Sequence, residues 1–247
     1  LLAAVEFVLA VLDHAGALRK FNAETLRLID VVRPSGLVPV LNWAFRLAYP
    51  QVDLGVAVVW SVVLVLRGSS LSRAIVPLVL VPLIGLEVGI RLVVNAPAPD
   101  RTYALERPTE TRAATGLLDR GDLVARTAFQ VATGPSATNL PPPSFPSGHA
   151  MRALFLAFLV GSTSRERSAS PRSLSRTWRA ILLAAGFSWA GLVGYSALYF
   201  GYHWPIDVLA GYILGISGWL VSQSCLLDQA VSRIGARLTP RATTGTA

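Results

Sequence analysis

The sequence predicts an all-α, polytopic membrane helix bundle with about six transmembrane helices, and three observations carry that prediction. Apolar residues fill 53% of the 247 positions and charged residues only 15%, a balance unlike that of soluble domains of this size. The mean hydropathy is positive. The apolar residues also gather in runs near the length that crosses a bilayer, about 20 residues. Several such spans with their connections use up the chain, so residues 1–247 are read as a single membrane-embedded domain.

Leu1 to Leu18 forms a first apolar segment, although it carries Glu6, Asp13 and His14. Arg19 to Pro50 mixes charged and apolar positions. Phe21, Leu26, Ile29 and Val32 lie near one helical face there, as in a helix resting in the membrane interface. Gln51 to Leu66 is a second span, interrupted only by Asp53. Arg67 to Ser70 turns the chain into a third, Leu71 to Val94, with kinks expected at Pro77 and Pro82. Asn95 to Pro143 holds no run of span length, so an extracytoplasmic cap is expected at about residues 95–146, with a short amphipathic helix around Leu117 to Val131.

Ser147 is placed as the N-cap of a fourth span reaching about Ser162. Ala180 to Leu198 is a fifth, and Pro205 to Leu227 a sixth with proline in its first turn. A basic, small-residue-rich cytoplasmic tail is expected from about residue 229.

The net charge of +8 raises a nucleic-acid partner, but the position of the arginines argues against one. Arg67, Arg73, Arg165, Arg167, Arg172, Arg176, Arg179, Arg233, Arg237 and Arg241 all fall on one side of a six-span layout. By the positive-inside rule that side is cytoplasmic. The cap, Ser147 to His149 and His203 to Asp207 then face the extracytoplasmic side. Lys20 is the only lysine among the 22 basic residues, the arginine bias of a high-GC genome, and the expected location is the bacterial plasma membrane. Cys225 stands alone, which excludes an intrachain disulfide.

Two stretches carry chemistry: Phe145-Pro146-Ser147-Gly148-His149, and Ser196 through His203 to Asp207. The four-residue spacing of His203 and Asp207 puts them on one helical face if the sixth helix extends back that far. A carboxylate there fixes one ring nitrogen and leaves the other to attack. His149 begins the fourth span on the same side and can protonate a leaving oxygen and then activate water, which completes a two-step displacement through a phosphohistidine. Ser147, Gly148 and the helix start offer donors to an anion. His14, with no such partner, is read as an interfacial or capping residue.

These stretches resemble the second and third signature motifs of the type 2 phosphatidic acid phosphatase family. The third reads Ser-Arg, five residues, His, three residues, Asp, and the spacing matches. The resemblance implies that His203 is the nucleophile, Asp207 orients it, His149 is the general acid and base, and Ser147, Gly148 and Ser196 lie at the phosphate. It implies no metal and no cofactor.

The third-motif arginine is Ala197 here. The first motif, Lys, six residues, Arg-Pro, fits best from Arg91 to Pro99, with Arg91 in place of lysine and Ala98 in place of arginine. A second alignment ends on Arg107-Pro108, but it puts Asp100 at the lysine position and moves the site beyond the span. Loss of guanidinium contacts to a phosphoryl group costs orders of magnitude in rate unless replaced. Arg152, three residues after His149, is the expected replacement. Arg101 and Arg107 are read as pairing with headgroups or carboxylates. Glu87, four residues before Arg91, is expected to pair with it or aim it at the phosphate.

Tyr195, Tyr199, Phe200, Tyr202 and Trp204 read as an interfacial belt, the commoner outcome, or as the lining of a groove for a lipid chain. The expected activity is removal of phosphate from a lipid phosphate or pyrophosphate, polyprenyl or glycerolipid, at the extracytoplasmic face. The expected partners are the bilayer and the lipid-linked substrate. Two rivals remain: a transferase that passes the phosphoryl group to an alcohol, and a weakened lipid- or partner-binding subunit, which Ala98 and Ala197 favour.

Overall fold

The computed structural model describes residues 2–14, 16–31, 35–94, 96, 98–99, 143–165 and 175–224. Most of the expected cap, with Arg101 and Arg107, and the expected tail lie outside them. Among the described residues the architecture is all helical. The elements are α1 (Leu2–His14), α2 (Arg19–Val31), a 3-10 turn (Ser35–Leu37), α3 (Val38–Leu47), α4 (Pro50–Leu66) and α5 (Leu71–Ile75). A second 3-10 segment (Val76–Val79), α6 (Leu80–Val94), α7 (Gly148–Arg165), α8 (Arg176–Tyr199) and α9 (Pro205–Ser222) follow.

Three helices among the described residues are long and apolar enough to cross a membrane: Leu71–Val94, Arg176–Tyr199 and Pro205–Ser222. Val38–Leu47 and Pro50–Leu66, bent by 60° at their junction, make a fourth together. Pro77 explains the 3-10 segment inside the Leu71–Val94 span, because proline cannot donate to the carbonyl one turn back. The first apolar segment gives only the 13 residues of α1. The helix ends before Gly16, whose φ of +71° turns the chain.

The expected apolar face of α2 divides. Leu26 is buried and Ile29 half-buried, but Phe21 points outward. The reason is Asn22, which is buried and accepts a hydrogen bond from the Ile206 amide at 3.3 Å. This contact turns the Asn22–Leu26 side of α2 onto the start of α9.

α7 is the centre of the bundle. Ala150, Met151, Arg152, Ala153, Phe155 and Leu159 are all essentially inaccessible, as expected of a helix surrounded by others. α9 lies against it at backbone contact. A Cβ at Gly211 would strike the Ser147 carbonyl, and one at Gly215 the Met151 carbonyl. Val58, Val59, Val62 and Val65 of α4 and Val81, Leu86 and Val93 of α6 are exposed, a surface suited to acyl chains.

Arg152 ties the segments together. Its Nε donates to Asp53 of α4 at 2.9 Å, one terminal nitrogen to Glu87 of α6 at 3.0 Å, and the other to the Ala48 carbonyl at the α3–α4 bend at 3.0 Å. All three side chains are buried. An unpaired charge in such surroundings is costly, whereas a fully bonded one is tolerated. Arg152→Leu leaves the buried Asp53 without its cation and Glu87 with Arg91 alone, and is expected to cost about 3–5 kcal/mol. Thermal denaturation in detergent measures this; an unchanged midpoint would contradict it.

Candidate active site

The two chemistry-bearing stretches meet at one end of the bundle. The Ser147 amide donates to the Asp207 carbonyl at 2.9 Å, which joins the start of α7 to the first turn of α9. The Ser144 amide donates to the Ala96 carbonyl at 2.9 Å and draws in the chain just beyond α6. Ser147 caps α7 as expected, its hydroxyl 3.5 Å from the Ala150 amide. The preceding Phe145-Pro146 peptide is cis. Gly148 lies against the Glu87 carboxylate, which a Cβ would overlap.

His203 and Asp207 do come together, but through a different local device from the one expected. α9 begins at Pro205, so His203 sits in the turn before it. Its amide and that of Tyr202 both reach the Ala197 carbonyl, at 3.3 and 3.0 Å. Gly201 permits that turn with φ +64°. Asp207 then reaches backward as the third residue of the helix, and its Oδ2 accepts from the Trp204 amide at 2.8 Å. This N-terminal cap brings Oδ2 within 3.5 Å of His203 Nδ1, ion-pair range but longer than a good hydrogen bond.

The His149 and His203 ring centroids are 6.2 Å apart at 61°. Phe45 of α3 stacks on His149 at 4.2 Å, and Tyr49 approaches it edge-on at 5.7 Å. Buried polar atoms without a hydrogen-bond partner among the described residues gather at this end: both His149 nitrogens, His203 Nδ1, Asp207 Oδ1, Arg91 Nε and the Ser144 hydroxyl. Native interiors seldom leave such groups unpaired, and their gathering makes this end the candidate site for a polar ligand.

The remaining predicted site residues divide between this set and the scaffold. Arg91 belongs with the set: it pairs with Glu87 at 2.7 Å, donates to the Pro146 carbonyl at 3.1 Å, and is partly exposed. Arg152 directs its guanidinium to Asp53, Glu87 and Ala48, and so stands as a scaffold residue. The Ser196 hydroxyl is buried and donates to the Val193 carbonyl of its own helix at 2.7 Å. Ala197 is enclosed in one apolar cluster with Leu41, Phe45, Ala150, Tyr199, Phe200 and Val208. An arginine there would need the volume these side chains fill. Ala98 is likewise buried.

Sequence reasoning missed Phe45 and Tyr49, which reach His149 across about a hundred residues and carry no local signal. Asp53 did carry one, as an ionisable residue inside an apolar run.

Comparison with known proteins agrees with this layout. The model of a family described as the PAP2 superfamily matches residues 75–229, more than half of the chain. A stretch of 72 residues is 42% identical to an undecaprenyl-diphosphatase of Sulfolobus acidocaldarius. That match covers 29% of this chain and 28% of the archaeal protein's length. The fold matches the crystal structure of a transmembrane PAP2-type phosphatidylglycerolphosphate phosphatase from Bacillus subtilis with a TM-score of 0.64. It covers 94% of this chain and 95% of the other at 18% identity, which speaks for the fold alone.

The close approach of α9 to α7 underlies the whole arrangement. Gly211→Ala forces the Ser147 carbonyl away and is expected to cost about 1–3 kcal/mol. Gly191→Ala, on the open side of α8, is expected to cost nothing. Paired melting curves test this, and equal midpoints for the two variants would contradict it.

Proposed function

Since the chain belongs to the PAP2 superfamily, we propose that it removes phosphate from a lipid phosphate or diphosphate by way of a phosphohistidine. The observation that carries the reading is the meeting of two histidines, 6.2 Å apart, on turns joined by the Ser147–Asp207 backbone hydrogen bond.

Asp207 faces Nδ1 of His203, so Nε2 is the nucleophile. Its lone pair forms the N–P bond while the P–O bond to the lipid breaks, and His149, which takes up a proton together with the anionic phosphate, gives that proton to the departing oxygen. Neutral His149 then takes a proton from water. The water oxygen attacks phosphorus, and the N–P bonding pair returns to His203 as phosphate leaves. The first amides of α7 and the free donors of Arg91 hold the phosphoryl oxygens. Glu87 and the Pro146 carbonyl hold Arg91 in turn.

The lipid nature of the substrate is supported by the membrane-length helices and by the name of the archaeal relative. That name concerns a diphosphate, while the two-histidine chemistry serves a phosphate monoester equally, so both classes belong in the test. An extracytoplasmic site is supported by the course of α4, whose 17 residues carry the chain about 25 Å from Asp53's end to the turn bearing Arg67.

Purified protein in detergent with a chelator is expected to release phosphate from at least one lipid of a panel. The panel holds polyprenyl diphosphate, polyprenyl phosphate, phosphatidic acid and phosphatidylglycerolphosphate. His203→Ala and His149→Ala should each lose about 100-fold or more. Release that persists in both variants, or stops with chelator, would contradict the histidine mechanism. Folded wild-type protein without release would favour a weakened lipid-binding subunit, for which the closed cluster around Ala197 is the structural ground.

A further inference from the structure

Histidine side chains have a broad, soft outer torsion, so a ring that must present one nitrogen to a reacting atom needs something to hold it. The usual restraint is a hydrogen bond from the other nitrogen to a carbonyl or carboxylate. His149 has none: neither ring nitrogen has a hydrogen-bond partner among the described residues. What it has is a face contact. The ring of Phe45 lies 4.2 Å from it with the planes 16° apart.

Phe45 is itself clamped. Tyr202 stacks on it at 4.6 Å and 12°. Two nearly parallel rings at such distances need opposite faces of the phenyl group, so Phe45 is the middle layer of a stack. Tyr49 and Phe200 meet it edge-on at 5.9 and 6.3 Å. The buried Ala150 and Ala197 pack in the same cluster and leave room for the ring. Tyr202 immediately precedes His203, so the stack runs from the start of α7, through α3, to the turn that bears the second histidine.

From this geometry we propose that Phe45 is a positioning residue: clamped by Tyr202, it fixes the plane of His149 so that one ring nitrogen faces the oxygen that leaves on attack by His203. The proposal rests on the phosphohistidine reading above. Phe45 touches no reacting atom. It acts by holding the imidazole, and α3 thereby becomes part of the site although it carries none of the sequence motifs.

The test uses leaving groups. Proton donation matters for an alkoxide and little for nitrophenolate, which departs without help. In Phe45→Leu, kcat for an alkyl phosphate lipid is expected to fall about 10- to 100-fold, a part of what general acid catalysis provides, with KM within about threefold. In the same preparation, the pre-steady-state burst rate of nitrophenolate from p-nitrophenyl phosphate should change less than about threefold. Phe45→Tyr, which keeps the planar ring, should stay close to wild type on both substrates. The ratio of the two activities does not depend on the fraction of folded protein. Equal losses on both substrates, or a Phe45→Tyr variant as impaired as Phe45→Leu, would overturn the positioning role while leaving the reaction standing. Wild-type protein inactive on both substrates would overturn the reaction, and this role with it.

Discussion

Arg152 is the constraint around which the bundle is assembled. A guanidinium at the inaccessible centre of α7 cannot be left without partners, and its three bonds reach α4, α6 and the bend between α3 and α4. Those bonds fix where α3 turns away from α4, and so where Phe45 and Tyr49 face His149. They also fix Glu87, whose other oxygen holds Arg91. Asp53 and Glu87 stand opposite Arg152 and Arg91 in formal charge and bond to them, which favours such a network in a largely buried setting.

The site grows from this scaffold by short-range devices. Gly211 and Gly215 allow α9 to approach α7 at backbone distance, and the Ser147 amide then finds the Asp207 carbonyl. Asp207 serves twice, its carbonyl joining the two turns and its carboxylate capping α9 beside His203. Asn22, from a helix that lies 180 residues earlier in the sequence, accepts from the Ile206 amide and steadies the same turn. Phosphate chemistry would thus be carried by residues whose backbone is held at each end of the reacting pair.

The all-helical membrane architecture was legible because it depends on composition and run length, which are local. The Ser147 cap, the start of α9 at Pro205 and the break at Pro77 were legible for the same reason: each rests on the chemistry of a few adjacent residues. Other features depend on contacts between distant segments. Arg152 three residues after His149 read as a second phosphate ligand, since helical spacing places it on that side; only the positions of Asp53 and Glu87 show it held within the scaffold. Ser196 shares its motif with His203 yet bonds to Val193 of its own helix. Ala197 read as a lost cation, and the packed cluster around it supplies the physical counterpart: the space is filled by Phe45 and its neighbours.

The central claim is a covalent bond between phosphorus and His203. Rapid quenching of wild-type protein with phosphate-labelled lipid, followed by digestion and mass spectrometry, tests it directly. The account predicts an acid-labile, base-stable label on the peptide holding His203, and its absence from His203→Ala. A label on another residue, or turnover with no trapped label at any quench time, would contradict it.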